Sequence, residues 1–276
     1  MFSTEIHYEV VTFSIGDTKS GTKMGKLQLK DTESGELLNC ILWEEALNRM
    51  DSKLFRNGNI LRIVSGSFNE KFNNCLVNSL ELIKEAKIGL DEQQRLSVYG
   101  ELEEYINKIS DEKLRAFVTN VYNENKEKLL VAPGAKLMHH NYIGGLMIHI
   151  LECLQYADAN LAVFFQRVNR DEVYAACLLH DIGKVFEYTV DLESGLIDYD
   201  EEFKKEWITH SQYGFTICMT AGFKRVAKMI AAHHARTDWG AIVDLNEKDL
   251  EPILYLVHHL DDLSAKFGKT NVAMLG

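Results

Sequence analysis

The periodicity of hydrophobic residues changes once along this chain, close to residue 88, and this change constrains the fold more than any other feature. Before it, apolar and polar residues alternate in short segments separated by turn residues, which is the pattern of half-buried β-strands. After it, apolar residues recur every three or four positions, as in packed helices, and the chain's only prolines are Pro133 and Pro252. We therefore predict an α+β multidomain protein in which a β domain precedes an all-α domain.

Five strands and one short helix are predicted in the first part of the chain. The strands cover residues 8–15, 25–31, 37–43, 59–68 and 75–83, and the helix covers residues 44–55, between the third and fourth strands. Turn-rich segments at 31–35 and 69–74 punctuate this pattern. Five strands with a helix between the third and the fourth have the order of an OB-type barrel. Residues 1–87 are therefore predicted to form a five-stranded OB-type β-barrel.

Barrels of this type bind single-stranded nucleic acid with basic side chains and stacking aromatic rings, on one face and between the loops that join strands 1 to 2 and 4 to 5. The candidates beside these two loops are Lys19, Lys23, Lys26, Phe68 and Phe72. Phe72 lies in a polar turn and is the better stacking candidate, whereas a core position explains Phe68 equally well. A core position also accounts for Trp43 at least as well as stacking, and ordinary solvation accounts for the lysines.

The net charge limits how the chain can bind nucleic acid. A charge of −11 and an isoelectric point near 5.4 oppose broad electrostatic capture of phosphates. The excess acid belongs to the second part, because residues 1–87 carry 11 Lys and Arg against 12 Asp and Glu. Any contact of the barrel with nucleic acid is therefore expected to be local.

The cysteines and the apolar segments indicate the compartment. The five cysteines stand singly on predicted strands and helices, which favours reduced core thiols over disulfides. Residues 1–5 lack the basic and apolar pattern of a leader, and no apolar run approaches the roughly 18 residues that cross a bilayer. We expect a cytoplasmic protein without a membrane partner.

Imidazoles and carboxylates recur along the second part in a set that suits metal binding. The set comprises His149, His180, Asp181, His210, His233, His234 and Asp261. Imidazole nitrogen and carboxylate oxygen suit Mn, Fe, Zn or Mg, whereas a thiolate site would need closely spaced cysteines. Two ions about 4 Å apart share a bridging ligand and activate water for attack on phosphorus. Asp181 is the candidate bridge.

Helical periodicity indicates which of these side chains point inward. His149, His180 and Asp261 each fall on an apolar stripe, whereas Asp262 shares its face with Lys266. Taken singly, each histidine could be a hydrogen-bonded core residue, and Asp181 could cap a helix. As a set they favour a metal site, because a carboxylate on an apolar stripe needs a compensating cation. His233 and His234 point about 100° apart on a helix, so both reach one centre only if the helix ends there.

Two motifs carry a family resemblance. The sequence His-Asp-Ile-Gly-Lys at 180–184, with upstream His149 and downstream Asp261, resembles the HD-domain superfamily of metal-dependent phosphohydrolases. The additional His210 and the 233–234 pair resemble its two-metal branch. The segment 133–146, PGAKLMHHNYIGGL, is similar to a stretch of YhaM-type 3'-5' exoribonucleases, and so is the domain order.

The resemblance implies a division of the chain and a role for each candidate. Residues 1–87 would be the OB-fold nucleic-acid-binding domain, 88–130 a helical connector packed on the HD core, and 131–276 the HD domain. One ion would lie among His149, His180, Asp181 and Asp261, and the second among Asp181, His210 and either His233 or His234. Lys184 would reach a phosphate oxygen. Lys136, His139 and His140 would contact the scissile phosphate or the terminal nucleotide, although an ordinary loop with a helix cap explains them equally well. His140 or water would protonate the leaving oxygen.

The function that the resemblance implies is a metal-dependent 3'-5' exonuclease on single-stranded RNA, with single-stranded DNA as a further substrate. It would release nucleoside 5'-monophosphates by means of a hydroxide activated by two divalent ions, with Mn favoured over Fe, Mg, Co, Ni or Zn. One alternative is an HD-type hydrolase of nucleotides or cyclic nucleotides, which would use the same ligands. A second is a single-strand binding factor without catalysis. HD domains often pair into homo-oligomers, and the sequence leaves that question open.

The chain departs from the family pattern at two places. Ala235 and the Trp-Gly-Ala sequence at 239–241 replace a glycine and a Gly-Ser-Pro-like stretch after the paired histidines. Asp262 and Ser264 stand where the family has an amide and a second acid. Neither departure alters an expected metal ligand. The first bears on substrate preference, because the loop after the paired histidines is expected to border the pocket.

Overall fold

The computed structural model of the chain describes residues 6–86, 88–136, 139–164, 168–193, 195–206 and 208–268. The start at residues 1–5, the positions Leu137 and Met138 of the 133–146 motif, and the end of the predicted 131–276 domain lie outside the described residues. The described residues form two compact units, one ending at Ile88 and the other beginning at Gly89.

The first unit is a closed five-stranded barrel. Its strands are β1 (His7–Asp17), β2 (Lys23–Asp31), β3 (Leu37–Trp43), β4 (Ile60–Asn69) and β5 (Asn74–Lys84). They neighbour one another in the order β1-β2-β3-β5-β4, and pairing of β1 with β4 closes the barrel. All neighbours are antiparallel except β3 and β5, which run parallel with Cys40 opposite Cys75. The predicted five strands and the OB-like topology are confirmed.

Alternation along each strand builds the barrel core. Leu27 and Leu29 on β2, and Leu61 and Ile63 on β4, are fully buried, while the residues between them are more exposed. Burial of these aliphatic side chains is the main favourable contribution to folding of the unit.

The predicted helix at 44–55 is shorter than expected, because it divides into two pieces. The helix α1 (Glu44–Arg49) ends where Met50 adopts an extended backbone conformation. The Asp51 side chain then accepts a hydrogen bond from the backbone N–H of Lys53 and starts a 3-10 turn, Ser52–Phe55. This break places Phe55 in the barrel core, where its ring stacks on Phe13 with centroids 4.0 Å apart.

The second unit is mostly helical. Its helices are α2 (Glu92–Asn107), α3 (Glu112–Glu124), α4 (Lys126–Val131), α5 (Gly145–Phe164), α6 (Arg170–Leu179), α7 (Lys184–Glu187), α8 (Glu201–Lys205), α9 (His210–Thr220), α10 (Lys224–Ala232) and α11 (Ile253–Phe267). Side chains at helix starts set several boundaries: Asp91 and Thr209 form capping boxes with Gln94 and Gln212. The helices α2 and α3 pack on α6, and α11 packs on α5 and α10.

One feature of the second unit differs from the all-α prediction. A short antiparallel hairpin, β6 (Tyr188–Val190) and β7 (Ile197–Tyr199), follows α7. The turn between its strands begins at Asp191, whose carbonyl accepts a hydrogen bond from the backbone N–H of Gly195. Three-residue strands carry too little alternation to be distinguished from loops by pattern alone.

No helix among the described residues combines the length and the apolar character needed to span a membrane. The five cysteines all lie among the described residues, where each is buried as a free thiol.

Candidate metal centre

Five helices of the second unit bring the predicted ligands together. His149 lies in the second turn of α5, and His180 and Asp181 follow directly on the end of α6. His210 opens α9, the 233–234 histidines follow the end of α10, and Asp261 lies in α11. His149, His180, Asp181 and His233 are at most 1% exposed. Residues that lie more than 100 positions apart in the sequence therefore share one buried cluster.

The first group of donors surrounds one oxygen of Asp181. His149 Nε2 lies 3.3 Å from Asp181 Oδ2, 3.2 Å from Asp261 Oδ1 and 3.2 Å from His180 Nε2. His180 Nε2 is 3.5 Å from the same Asp181 oxygen. Two imidazole nitrogens and two carboxylate oxygens thus converge on one small volume.

The second group of donors faces the other oxygen of Asp181. His210 Nε2 lies 3.5 Å from Asp181 Oδ1, and His233 Nε2 lies 3.7 Å from it. His234 Nε2 is 2.8 Å from His210 Nε2. Because α10 ends at Ala232 and Ala235 has a φ of +63°, both adjacent histidines reach this group. The helix therefore ends at the adjacent histidines, as both of them require in order to reach one centre.

The chemistry of the donors fits divalent metal ions. Among the described residues, Asp181 Oδ1 and His233 Nε2 are buried without a hydrogen-bond partner, which is costly unless a cation compensates them. The nitrogens of His210, His233 and His234 lie within 4.8 Å of one another, close enough to hold one ion. The histidine clusters of this chain can therefore hold a metal ion.

Hydrogen bonds at Nδ1 aim the imidazoles at Asp181. His180 and His233 each donate from Nδ1 to a backbone carbonyl one turn earlier, at 2.8 and 2.6 Å. His210 Nδ1 lies 2.5 Å from Glu187 Oε2. A neutral ring with its proton at Nδ1 carries its lone pair at Nε2, so these partners fix the ligating nitrogen.

The electrostatics of the cluster favour the protonation states that metal binding requires. Burial lowers the pKa of His180 to about 4, and burial with the neighbouring His233 and His210 lowers that of His234 to about 2. Burial acts to raise the pKa of Asp181, but Lys184 and His180 hold it well below its usual range. At neutral pH these imidazoles are neutral and this carboxylate is ionised, as in metal ligands.

His149 shows that the first group attracts positive charge. Burial acts to lower the pKa of this imidazole, but Cys153 and the carboxylates of Asp181 and Asp261 raise it well above the ordinary value. The same carboxylates that stabilise a proton on His149 would stabilise a metal cation at this position.

Lys184 is buried in the cluster. Its Nζ lies 2.5 Å from Asp181 Oδ2 and donates to the Gly134 carbonyl at 2.7 Å. The lysine therefore neutralises Asp181 and ties the segment around Gly134 to the centre. Gly183, just before it, allows close packing, since a Cβ there would lie 2.5 Å from the Cα of His210.

The three candidates of the 133–146 motif have different environments. Lys136 pairs with Asp198 of the β6–β7 hairpin, with Nζ 2.6 Å from Oδ1. The ring of His139 is half-buried, with its centroid 5.3 Å from that of His149. His140 is buried, with Nε2 3.1 Å from Glu152 Oε2. His139 is thus the more accessible histidine of the two.

The barrel candidates lie in the first unit. Lys19, Lys23 and Lys26 are exposed, and Phe68 is half-buried. Phe72 is 66% exposed, with Lys71 Nζ 5.4 Å from its ring centroid. Trp43 is 49% exposed, so the core explanation considered for it is wrong.

Sequence reasoning missed several polar residues that lie beside the ligands. These are Glu187, Glu152, Ser264 and His258, whose Nδ1 lies 2.6 Å from the His233 carbonyl. Glu152 and Ser264 each follow a predicted ligand by three positions, which is one helical turn. A search for polar residues one turn from each ligand would have found both.

Comparison with known proteins identifies the helical unit. The model of the HD domain family matches residues 146–266, which contain every predicted metal ligand. The chain contains an HD domain at residues 146–266. Its HD domain thus begins in α5 with the turn that carries His149 and ends in α11 after Asp261 and Ser264.

A curated relative extends the similarity beyond the HD domain. The chain is 24% identical to the 3'-5' exoribonuclease YhaM of Geobacillus sp. (strain WCH70), over 66% of this chain and 56% of the relative. The match thus spans little more than half of the relative's length. No solved structure matches the chain.

Proposed function

We propose that this HD-domain protein is a metal-dependent 3'-5' exonuclease that acts on single-stranded RNA. The placement of Asp181 carries the proposal, since its two oxygens face two separate groups of imidazoles. The similarity to an exoribonuclease supports the choice of substrate class. Single-stranded DNA is a second substrate to be tested.

The donors are sufficient for two divalent ions. His149, His180, Asp181 and Asp261 would hold one, and Asp181, His210, His233 and His234 the other. When bound, two such ions lower the pKa of water and neutralise charge on a phosphoryl group. We favour Mn²⁺, because the mixed nitrogen and oxygen donors suit it, with Fe, Mg, Co, Ni and Zn as the other ions to test.

The chain's own groups would orient the scissile phosphodiester. Lys184 supplies a buried positive charge beside Asp181, which favours an anionic phosphate at the centre. The leaving 3'-oxygen needs a proton, and His140 remains the predicted donor. His139, which is more accessible and lies equally near His149, is placed to contact the substrate.

The barrel would supply affinity for the strand. The exposed ring of Phe72 and the exposed lysines at 19, 23 and 26 provide stacking and phosphate contacts on a domain with almost balanced charge. Binding by one domain raises the effective concentration of the 3' end for the other. We also propose a cytoplasmic location, where five free thiols persist.

The test is digestion of 5'-labelled single-stranded RNA and DNA by the purified full chain with Mn²⁺, with and without a chelator, resolved on a sequencing gel. A chelator-sensitive ladder that shortens from the 3' end is expected, with nucleoside 5'-monophosphates as products. Hydrolysis of free or cyclic nucleotides with intact strands would overturn the exonuclease in favour of a nucleotide hydrolase. Strand binding without any hydrolysis would indicate a binding factor.

Substitution of Phe72 tests the role of the barrel. Phe72→Ala should weaken binding of single-stranded RNA by about 1–3 kcal/mol, because a stacked base loses its aromatic partner. Phe72→Tyr keeps the ring and should retain the native affinity. Fluorescence anisotropy with labelled RNA measures both. Equal affinities of the alanine and tyrosine variants would exclude stacking on this ring.

A further inference from the structure

A hydroxyl group connects His149 to a carboxylate that is not one of the expected ligands. Ser264, fully buried in α11, donates its hydroxyl hydrogen to Glu152 Oε2 at 2.6 Å. The same Oγ lies 2.8 Å from His149 Nδ1. Glu152 and His149 both belong to α5, one turn apart. The three residues form a continuous chain of hydrogen bonds beside the metal centre.

The direction of these bonds fixes the state of His149. A serine hydroxyl has one hydrogen, and here Glu152 receives it, so Ser264 can only accept from His149. Nδ1 of His149 therefore carries a proton. Its Nε2 then presents its lone pair to the space shared with Asp181 and Asp261 when a cation binds there.

The Glu152 carboxylate has two further close neighbours. His140 Nε2 lies 3.1 Å from the same Oε2 that accepts the serine hydroxyl. On another side Gly268 closes the space, because a Cβ there would lie 2.5 Å from Glu152 Oε2 and 2.4 Å from His140 Cε1. Buried His140 thus lies against this carboxylate.

Three of the other imidazoles reach their acceptors directly. His180 and His233 use backbone carbonyls, and His210 uses the Glu187 carboxylate. His149 differs from these three described ligands, because the Ser264 hydroxyl lies between its Nδ1 and the Glu152 carboxylate.

We propose that Glu152 is a positioning residue that acts through Ser264 to hold His149 in its metal-binding orientation and tautomer. The proposal rests on the metal centre of the proposed function. A carboxylate at the far end of the chain polarises the hydroxyl and makes His149 a better donor to the cation. Loss of such an outer partner typically costs about 10- to 100-fold in metal affinity.

The test measures Mn²⁺ affinity of the full-length protein by the electron paramagnetic resonance signal of free Mn²⁺, without any substrate. We expect Ser264→Ala and Glu152→Gln each to bind Mn²⁺ about 10- to 100-fold more weakly than the native chain. The double variant Ser264→Asp with Glu152→Gln places a carboxylate directly on His149. It should bind at least about tenfold more tightly than Glu152→Gln alone.

Glu172→Gln is the matched control, since Glu172 is a partly buried carboxylate of the same unit that pairs with Arg225 at 3.2 Å. This control should keep the native affinity. The positioning role would be overturned if Ser264→Ala bound Mn²⁺ with native affinity. It would also be overturned if the double variant bound Mn²⁺ no more tightly than Glu152→Gln. Neither result would contradict the proposed metal centre. An absence of Mn²⁺ binding by the native chain would overturn both. Thermal unfolding in chelator identifies any variant that fails to fold. The Mn²⁺ affinities of the folded variants then test the proposal.

Discussion

Asp181→Asn will abolish metal-dependent hydrolysis, with kcat reduced by at least about 10³-fold. The two oxygens of Asp181 serve different groups, Oδ2 facing His149 and Oδ1 facing His210. An amide removes the negative charge and turns an N–H₂ toward one of the two groups, where it repels a cation. Both ions should therefore bind more weakly. The combined change of His180→Ala and Asp181→Ala should have the same effect.

The measurement compares hydrolysis, Mn²⁺ content and RNA binding for the same preparation. Asp262→Asn is the matched control, because this neighbouring acid pairs with Lys266 at 3.2 Å. It should retain full activity. Binding of single-stranded RNA should persist in the Asp181 variant, since the barrel is unchanged. If strand binding disappeared together with hydrolysis, the proposed division of labour between the two domains would be wrong.

Lys184→Met is expected to destabilise the second unit strongly and in a metal-dependent way. The substitution keeps most of the side-chain volume but leaves the buried carboxylate of Asp181 without its partner at 2.5 Å. Loss of one member of a buried ion pair costs about 3–5 kcal/mol of unfolding free energy. Saturating Mn²⁺ should recover much of this loss, because the cation replaces the ammonium group. Hydrolysis should fall by about 10²-fold, as expected for loss of one group that stabilises charge.

Chemical denaturation with and without chelator measures this effect. Lys136→Met is the control, because Lys136 belongs to a more exposed ion pair with Asp198, and such pairs contribute about 0–1 kcal/mol. Equal destabilisation of the Lys184 variant in chelator and in Mn²⁺ would show that a bound cation does not replace the lysine in compensating the charge of Asp181.

The barrel was the part of the fold most accessible to sequence reasoning. Alternation at 25–31 and 37–43 predicted two strands whose observed bounds differ by at most two residues. The prediction succeeded because apolar and polar residues must alternate along a strand that has one face in a core. The same alternation specifies the pairing register of the strand. The helix at 44–55 was predicted too long, since the break at Met50 depends on where Phe55 must pack.

The inward direction of the ligands was also predictable. Helical periodicity favoured Asp261 over Asp262, and the structure places Asp261 3.2 Å from His149 while Asp262 pairs with Lys266. Periodicity reports which face of a helix is buried, and an acid on that face indicates a compensating partner. It does not report what lies opposite that face.

The sequence by itself thus indicated the two kinds of domain, the candidate donors and the face of the helix on which each inward-pointing candidate lies. The tertiary structure decided how the donors divide between the two oxygens of Asp181. It also decided which groups hold the imidazoles, such as Ser264, which lies 115 positions from His149. The physical reason is that periodicity arises from burial within one element, whereas a hydrogen bond between α5 and α11 depends on how separate elements pack.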